Sequence, residues 1–515
     1  MCCNRLTFFL ILILFFVSCS NEEANPVNDK DPVDPIDPIT IDVDQFSRGF
    51  RGFNLQGKFD VHWSNTGFKE EEFLIMKDLG FNFARLPLDY QTYTKTGDWH
   101  TFLEDEVNEI DQAVAWGKQY GVHICINLHR APGYSVNKSS VPTNQQLDLW
   151  TDPIAQEAFV NHWAYFAERY RDIPYDQVSF NLVNEPADVD EATYVNVMQM
   201  AIDKTHEINF NRIIFVDGID WGNHLIMSLK NARNVIQSIH MYDPFKLTHY
   251  KANWADGSDT WPVPVWPITN ISNYLYGSWK SDLQSSLIFE GAFSEDDTIT
   301  INVHQVSLEA TLQIKLDDTE IYSKKFVCGP DLGDEWTEIN LTEWGYQNYS
   351  KKDYSIILPS GGSKLTISNT VGDWMTMNKI TISTANYKNE IIPGNTAWGS
   401  KQDSYKITSD GEITKSDGSP VIALEDLKET LETARSQQIP IMVQEFGVYN
   451  KTPHQVTLDY LSDVVDMFND YNVGYALWNL IGDFGILDTD RSDCNYTLYN
   501  NRQLDQEMLD LLKGN

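Results

Sequence analysis

The sequence predicts an α/β protein: a (β/α)8 TIM barrel interrupted by an antiparallel β-sandwich between its sixth and seventh strands. Three observations predict this. Short β-rich runs alternate with amphipathic helical stretches, which argues for parallel strands joined by helical crossovers. Eight such runs can be picked out, the number that closes this kind of barrel. Between the sixth and seventh the helical pattern vanishes for about 100 residues, replaced by alternating runs broken at Gly, Asn and Asp.

Taken in chain order, the first stretch is not part of that fold. MCCNRLTFFLILILFFVSCS places Arg5 before a short apolar core that cannot span a bilayer and has the layout of a secretory signal. Phe16-Val17-Ser18-Cys19 resembles a bacterial lipobox, which implies a signal peptide over residues 1–19 and lipidation of Cys19. The alternative is an ordinary cleaved signal with an incidental cysteine. Residues 20–45 are polar, acidic and rich in Asp-Pro, so they read as a stiff tether. Acidic residues directly after Cys19 resemble an export signal of surface lipoproteins. The expectation is a lipoprotein held at the outer membrane or cell surface of a Gram-negative bacterium.

The first part of the barrel is expected over residues 46–282 and the second over 385–515. Its strands are predicted at Phe50–Gln56, Phe81–Pro87, His123–His129, Gln177–Val183, Arg212–Asp217, Val235–Tyr242, Ile439–Phe446 and Val473–Leu480. Amphipathic spacing predicts helices at Glu70–Leu79, Glu104–Tyr120, Ile154–Arg171, Glu191–Ile208 and Leu424–Gln437. The insert is expected over Leu283–Thr384, carrying the alternating runs TITINV, ATLQIKLDD, KLTISN and MNKITIS.

A net charge of −36 argues against nucleic acid or an anionic membrane as partner and suits an uncharged ligand. Three of the six cysteines lie in the leader, and Cys125, Cys328 and Cys494 are scattered, so neither a disulfide framework nor a zinc spacing is present. No phosphate loop or His-Glu-x-x-His occurs, and Gly133-Tyr134-Ser135-Val136-Asn137 lacks the last glycine of a nucleophile elbow. Neither cofactor nor metal is expected, and a monomer is.

Barrels of this type carry their chemistry at the C-terminal ends of the strands. Polar groups recur at those ends: Arg85 on the second, His129 on the third, Asn184 and Glu185 on the fourth, His240 and Tyr242 on the sixth, Glu445 on the seventh. The eighth delivers Trp478. Pro186 should push Glu185 into extended backbone at the lip of its strand. Period-two alternation groups Asn181 and Val183 with Glu185, and Ile441 and Val443 with Glu445, as inward residues. Two carboxylates converging from strands four and seven suit glycoside hydrolysis, where one protonates the leaving oxygen and the other stays ionised. Arg85 and Tyr242 beside Glu445 should favour its charged form, leaving Glu185 as the acid and later the base.

These residues resemble glycoside hydrolase family 5, retaining β-glycosidases that include cellulases, mannanases and xyloglucanases. The resemblance runs from about Phe50 to Leu512 and rests on Asn184-Glu185-Pro186, His240-Met241-Tyr242 and Gln444-Glu445-Phe446-Gly447, with the other strand-end residues in order. It implies Glu185 as acid/base and Glu445 as nucleophile. Asn184 would then bind the sugar 2-hydroxyl, Arg85 and Tyr242 would position the nucleophile, and His129 and His240 would contact sugar or the acid/base. Trp478 would lie under the sugar. Arg85 as a structural ion-pair partner, and the histidines and Trp478 as core, stay open as alternatives. Trp63, Tyr134, Trp221, Trp261 and Trp266 fall in strand-end loops and are candidate sugar platforms.

The insert departs from the family's plan. It resembles galactose-binding-like sandwiches common among carbohydrate-binding modules, with GDWMTMNKITI as a closing strand, though it could equally brace the barrel. The expected partner is a poly- or oligosaccharide, with the membrane reached through Cys19. An endo-acting β-glycanase is the leading expectation; an exo-acting or debranching glycosidase, or a non-catalytic glycan-binding lipoprotein, are the alternatives.

Overall fold

Eight parallel strands close into a barrel in the computed structural model, which describes residues 40–137, 147–419, 421 and 423–514. The leader, Cys19 and most of the tether lie outside the described residues. The strands are β1 (Arg51–Asn54), β2 (Phe83–Asp89), β3 (His123–Ala131), β4 (Val178–Asn181), β5 (Ile214–Asp217), β6 (Val235–Met241), β7 (Ile441–Phe446) and β8 (Gly474–Leu477). Each pairs in parallel with its neighbours in chain order, and β8 pairs with β1 to close the ring. They are buried on both faces, as parallel strands flanked by helices must be.

The outer layer holds α1 (Glu70–Leu79), α2 (Glu104–Tyr120), α3 (Pro153–Arg169), α4 (Glu191–Ile208), α5 (Glu425–Gln437), α6 (His454–Asp470) and α7 (Gln506–Leu512). Local chemistry explains their limits. Asp152 accepts from Ile154 N at the start of α3 with Pro153 in its first turn, and Asp190 caps α4 through Thr193 N. Left-handed Gly80 and Gly121 end α1 and α2. Between β5 and β6 the connection is only a short helical turn (Ile219–Gly222) and a 3-10 turn (Met227–Leu229), where an ideal barrel has a full helix. Among the described residues no helix is long and apolar enough to cross a membrane.

The bottom of the barrel interior is filled by Phe83, Cys125, Phe215, Ile236, Met442 and Ala476, against which Ile41, Val43 and Phe46 pack. The end of the expected tether is therefore a plug: apolar residues at 41, 43 and 46 cover the core, and the barrel unit starts before residue 46.

The chain leaves the barrel after β6 and builds two sheets around one core before returning to α5, antiparallel except where Ser404–Ile407 pairs in parallel with Leu287–Phe293. One sheet holds Tyr274–Tyr276, Trp374–Ser383, Thr298–Ser307 and Gly345–Ile357; the other holds Thr319–Val327, Glu309–Leu316, Gly362–Gly372 and Leu287–Phe293. Ile299, Ile301 and Ile380 from the first meet Leu312, Ile314 and Ile367 from the second. The sheets reach past Leu283–Thr384: Tyr274–Tyr276, Lys388–Ile391, Ser404–Ile407 and Ile413–Lys415 all pair into them. These added strands are only three or four residues long, too short to show alternation. A parallel pair, Thr269–Ser272 with Pro393–Asn395, joins the ingoing and outgoing chains at the neck. Asn270 donates to Glu425 of α5 at 3.2 Å, tying the neck to the barrel.

Candidate active site

The polar end of the barrel is organised around Arg85, which is fully buried as the third of the seven residues of β2, all of them buried; the strand runs on to Asp89 rather than ending at Arg85. A buried guanidinium must place its donors on acceptors. Its Nε donates to Asn181 Oδ1 at 2.9 Å, Nη1 to Asn54 Oδ1 at 3.0 Å and Nη2 to Asn184 Oδ1 at 2.8 Å. Nη1 also donates to Glu445 Oε1. Asn54 is itself held by the carbonyls of Gln444 and Leu477, so residues from β1, β2, β4, β7 and β8 meet in one network.

Glu445 is nearly inaccessible, with its side chain 3% exposed. Tyr242 donates its hydroxyl to Oε2 at 3.3 Å, and His240 Nδ1 lies 3.7 Å from the same oxygen. Burial pushes the Glu445 carboxyl up to about 7; charged His240 and Arg85 oppose this, while Glu185 and Asp217 add to it. Arg85 does favour the charged form of Glu445, as expected, but desolvation outweighs it and the carboxyl is raised overall. On His240 the balance is reversed. Burial alone would lower it, but Glu445, Asp217 and Glu185 raise it to about 9. His129 is held well below its usual value by burial and by Arg130 and Arg85, and is neutral.

The parity argument also needs correcting. Met442 and Gln444, not Ile441 and Val443, face the barrel interior: Met442 is in the interior cluster and Gln444 Nε2 points at Cys125 Sγ, 3.6 Å away, while Ile441 and Val443 pack under the helices. Glu445 nevertheless points into the site, because the β6–β7 register slips there. Ile239 pairs with Val443 and His240 with Glu445, so Gln444 is an extra residue, a β-bulge that re-aims the side chain after it.

Strand β4 stops at Asn181, and Glu185 follows in a non-regular segment where Val183 packs in the outer core. Its backbone is not extended as Pro186 suggested but left-handed, with φ of 47°. Two partners hold it there. Asp217 Oδ2 accepts from Glu185 N at 3.0 Å, and the Tyr134 hydroxyl donates to Glu185 O at 2.6 Å while accepting from Ala187 N at 2.8 Å. The Glu185 carboxyl is 17% exposed, and its Oε1 lies 2.9 Å from His240 Nδ1.

Arg85, His129, Asn184, Glu185, His240, Tyr242, Glu445 and Trp478 are therefore brought together. Asn184 is buried, with Nδ2 3.5 Å from His129 Nε2. Trp478 stacks on His129 with ring centroids 5.4 Å apart, and Phe59 packs against both. Trp63 and Trp221 are more than half and half exposed, at 66% and 50%, and Trp261 is partly buried. Tyr134 and Trp266 are withdrawn as sugar platforms. Both are buried: Tyr134 serves the Glu185 backbone, and Trp266 donates to Asp463 Oδ2 at 2.7 Å and packs on Tyr460. Sequence reasoning missed Asn54, Asp217 and the exposed ring of Trp254, and placed Asn181 inward without giving it a part in the site. Asp217 could have been found, since it is a carboxylate at the last position of the fifth predicted strand.

Two groups of the described residues gather three metal-ligand atoms within 4.8 Å: Glu185, His240 and Glu445, and His454, Cys494 and Asp505. The first already has Arg85 on one carboxylate. In the second, His454 Nε2 and Asp505 Oδ2 are hydrogen-bonded at 2.8 Å and Asp505 caps α7, so these atoms satisfy one another.

Comparison with known proteins fits this geometry. Residues 41–285 match the family model "Cellulase (glycosyl hydrolase family 5)". Endoglucanase C of Acetivibrio thermocellus is 27% identical over 218 residues, which is 40% of this chain and 61% of that protein. The chain thus spans about three fifths of that relative's length. A crystal structure of a glycoside hydrolase superposes with a TM-score of 0.56 at 21% identity, covering 90% of this chain and 98% of its own. Thermotoga maritima Cel5A in complex with mannotriose superposes with a TM-score of 0.52 at 16% identity, covering 92% and 100%. The barrel that holds these two glutamates has a fold like that of the cellulase-type enzymes of glycoside hydrolase family 5, and its first part, with Glu185, matches that family's model.

Proposed function

We propose that this protein is a retaining β-glycosidase that cleaves a β-linked glycan within the chain, with Glu445 as nucleophile and Glu185 as acid/base. One observation carries the reading: an oxygen of each glutamate lies within 4.8 Å of the other, with His240 between them. Carboxyls that close match the ~5–5.5 Å of retaining enzymes and leave no room for the water that inversion needs at ~6.5–9.5 Å. Glu445 attacks the anomeric carbon while Glu185 delivers a proton to the leaving oxygen. Glu185 then deprotonates the water that releases the sugar from Glu445. Asn184, anchored by Arg85, contacts the 2-hydroxyl, and the Trp478 ring lies under the sugar being cleaved. Internal cleavage is supported by the lip: exposed Trp63 follows β1 and exposed Trp221 follows β5, diametrically opposite in an eight-strand ring, so a long chain has ring surfaces on both sides. The relatives' endoglucanase names support a β-glucan substrate. Proton NMR of fresh product should show the β anomer first; the α anomer first would reject the mechanism. A screen on soluble β-glucan, mannan and xylan, with product lengths followed in time, should give mixed oligomers early; monomer or dimer alone from the first minutes would point to exo action.

A further inference from the structure

Asp217 is fully buried at the end of β5, and beyond holding the Glu185 backbone it has no part in the steps above. Its Oδ1 accepts from Asn181 Nδ2 at 2.8 Å and its Oδ2 from the backbone of Glu185 at 3.0 Å. The same Oδ2 lies 3.3 Å from His240 Nε2. That contact is off the line of the N–H and is not a hydrogen bond, and Nε2 has no other partner. What joins the two is charge, in a setting where charge is weakly screened. Glu185 Oε1 lies 2.9 Å from the other ring nitrogen, Nδ1.

Resting on the glycosidase reading, we propose that Asp217 is the positioning residue for acid/base catalysis: it keeps the proton on His240 Nε2, so that Nδ1 is the nitrogen that exchanges a proton with Glu185. The proton on Nδ1 passes to Glu185 Oε1 as the leaving oxygen takes one from Glu185, and the ring is left neutral with its remaining proton facing Asp217. In the second half-reaction Glu185 takes a proton from the attacking water and returns one to Nδ1, so the cycle closes with no proton gained or lost. Without Asp217 the neutral ring would be free to keep its proton on Nδ1, and Glu185 would face a donor that does not let go. The ring's raised position, at about 9, agrees with this, and the groups facing it are Glu185, Asp217 and Glu445, with cationic Arg85 3.8 Å behind Asp217 and neutral His129 across the site.

The test is Asp217→Asn, which keeps the shape and removes the charge. The alkaline limb of kcat/KM on β-glycosides with poor leaving groups should move down by about one pH unit, a ~tenfold change in the proton equilibrium. A residue that merely holds the fold would lower the rate and leave the limb in place, and an unmoved limb in the folded variant overturns the proposal. Should the variant not fold, 15N-histidine NMR of the wild-type protein decides. His240 should keep its Nε2 proton and lose the one on Nδ1 as pH rises; a neutral ring protonated on Nδ1 overturns it. If the wild type cleaves no β-glycoside, the functional reading fails, while the NMR result still judges the Asp217–His240 pairing.

Discussion

Glu445 shows how much a single position can be worked against by its surroundings. Its carboxyl is raised to about 7, so ionising it is unfavourable in the folded state, and the penalty grows as pH rises from the ordinary carboxylate range through about 7. Glu445→Gln cannot ionise. Its stability relative to wild type should therefore rise between pH 4 and pH 8, as read by denaturant unfolding at the two pH values. The same shift sets the rate profile. By the proposed mechanism, turnover needs Glu445 ionised and a proton held by the Glu185–His240 pair, so kcat/KM should form a bell with limbs near about 7 and about 9. An acid limb at 4 to 5 would show that substrate-free Glu445 is not raised. The two glutamates should separate by substitution. Glu445→Ala should abolish turnover of every substrate, whereas Glu185→Ala should retain the first step on aryl glycosides whose leaving group needs no proton, and a burst of released phenol without steady turnover would show it. Most of these residues were legible in the sequence because they lie near the end of a strand or shortly after one, although Arg85 sits four residues before the end of β2. Their protonation was not, since burial of Glu445 depends on side chains from five strands. Nor was the left-handed Glu185, because the local rule for a residue before proline was overridden by Asp217 and Tyr134, one 32 residues later and one 51 residues earlier.

At the scale of elements, the turn after β5 decides how His240 is held. Gly222 has φ of 83°, and a Cβ built on it would come 2.9 Å from His240 Cγ. Gly121, at the end of α2, has φ of 72° and open space around the same point. An alanine at either site costs about 1 kcal/mol for the left-handed backbone alone. Gly121→Ala should therefore lose that stability and keep its activity. Gly222→Ala should also displace the imidazole and lose at least ~tenfold in kcat, consistent with the sensitivity of positioned catalytic groups. Equal activity in the two variants would mean the ring tolerates the shift. The contrast between elements that could be read and those that could not has the same physical origin. Helices α1, α2 and α4 were legible to the residue because amphipathic spacing and caps are local signals. The bulge at Gln444 was not, because a register slip belongs to two strands at once.

Across the whole molecule, the insert separates its aromatic residues into core and surface. Trp336 and Trp374 are buried, while Trp344 is 73% and Trp398 57% exposed. If the sandwich captures glycan, the exposed pair is where stacking can occur, and a weak site on the same chain helps only substrates long enough to reach both places. Trp344→Ala with Trp398→Ala should weaken binding and hydrolysis of insoluble polymer severalfold and leave small aryl glycosides unchanged. Loss on both substrates would make the sandwich a brace, and loss on neither would remove these rings from glycan capture.

The neck of that insert bears on how the barrel is assembled. Strands β6 and β7 must pair across a loop of about 200 residues, and the entropy of closing it grows with the logarithm of its length. Pairing Thr269–Ser272 with Pro393–Asn395 first would cut the open loop to about 75 residues and trim the closure cost by about 1 kcal/mol. During synthesis the sandwich emerges before β7 and β8 exist, so it can be tied off while the barrel is still an open six-strand sheet. Pulse-labelled hydrogen exchange during refolding should then find amides of Thr298–Ser307 and Trp374–Ser383 protected before those of Ile441–Phe446, the strand that carries Glu445.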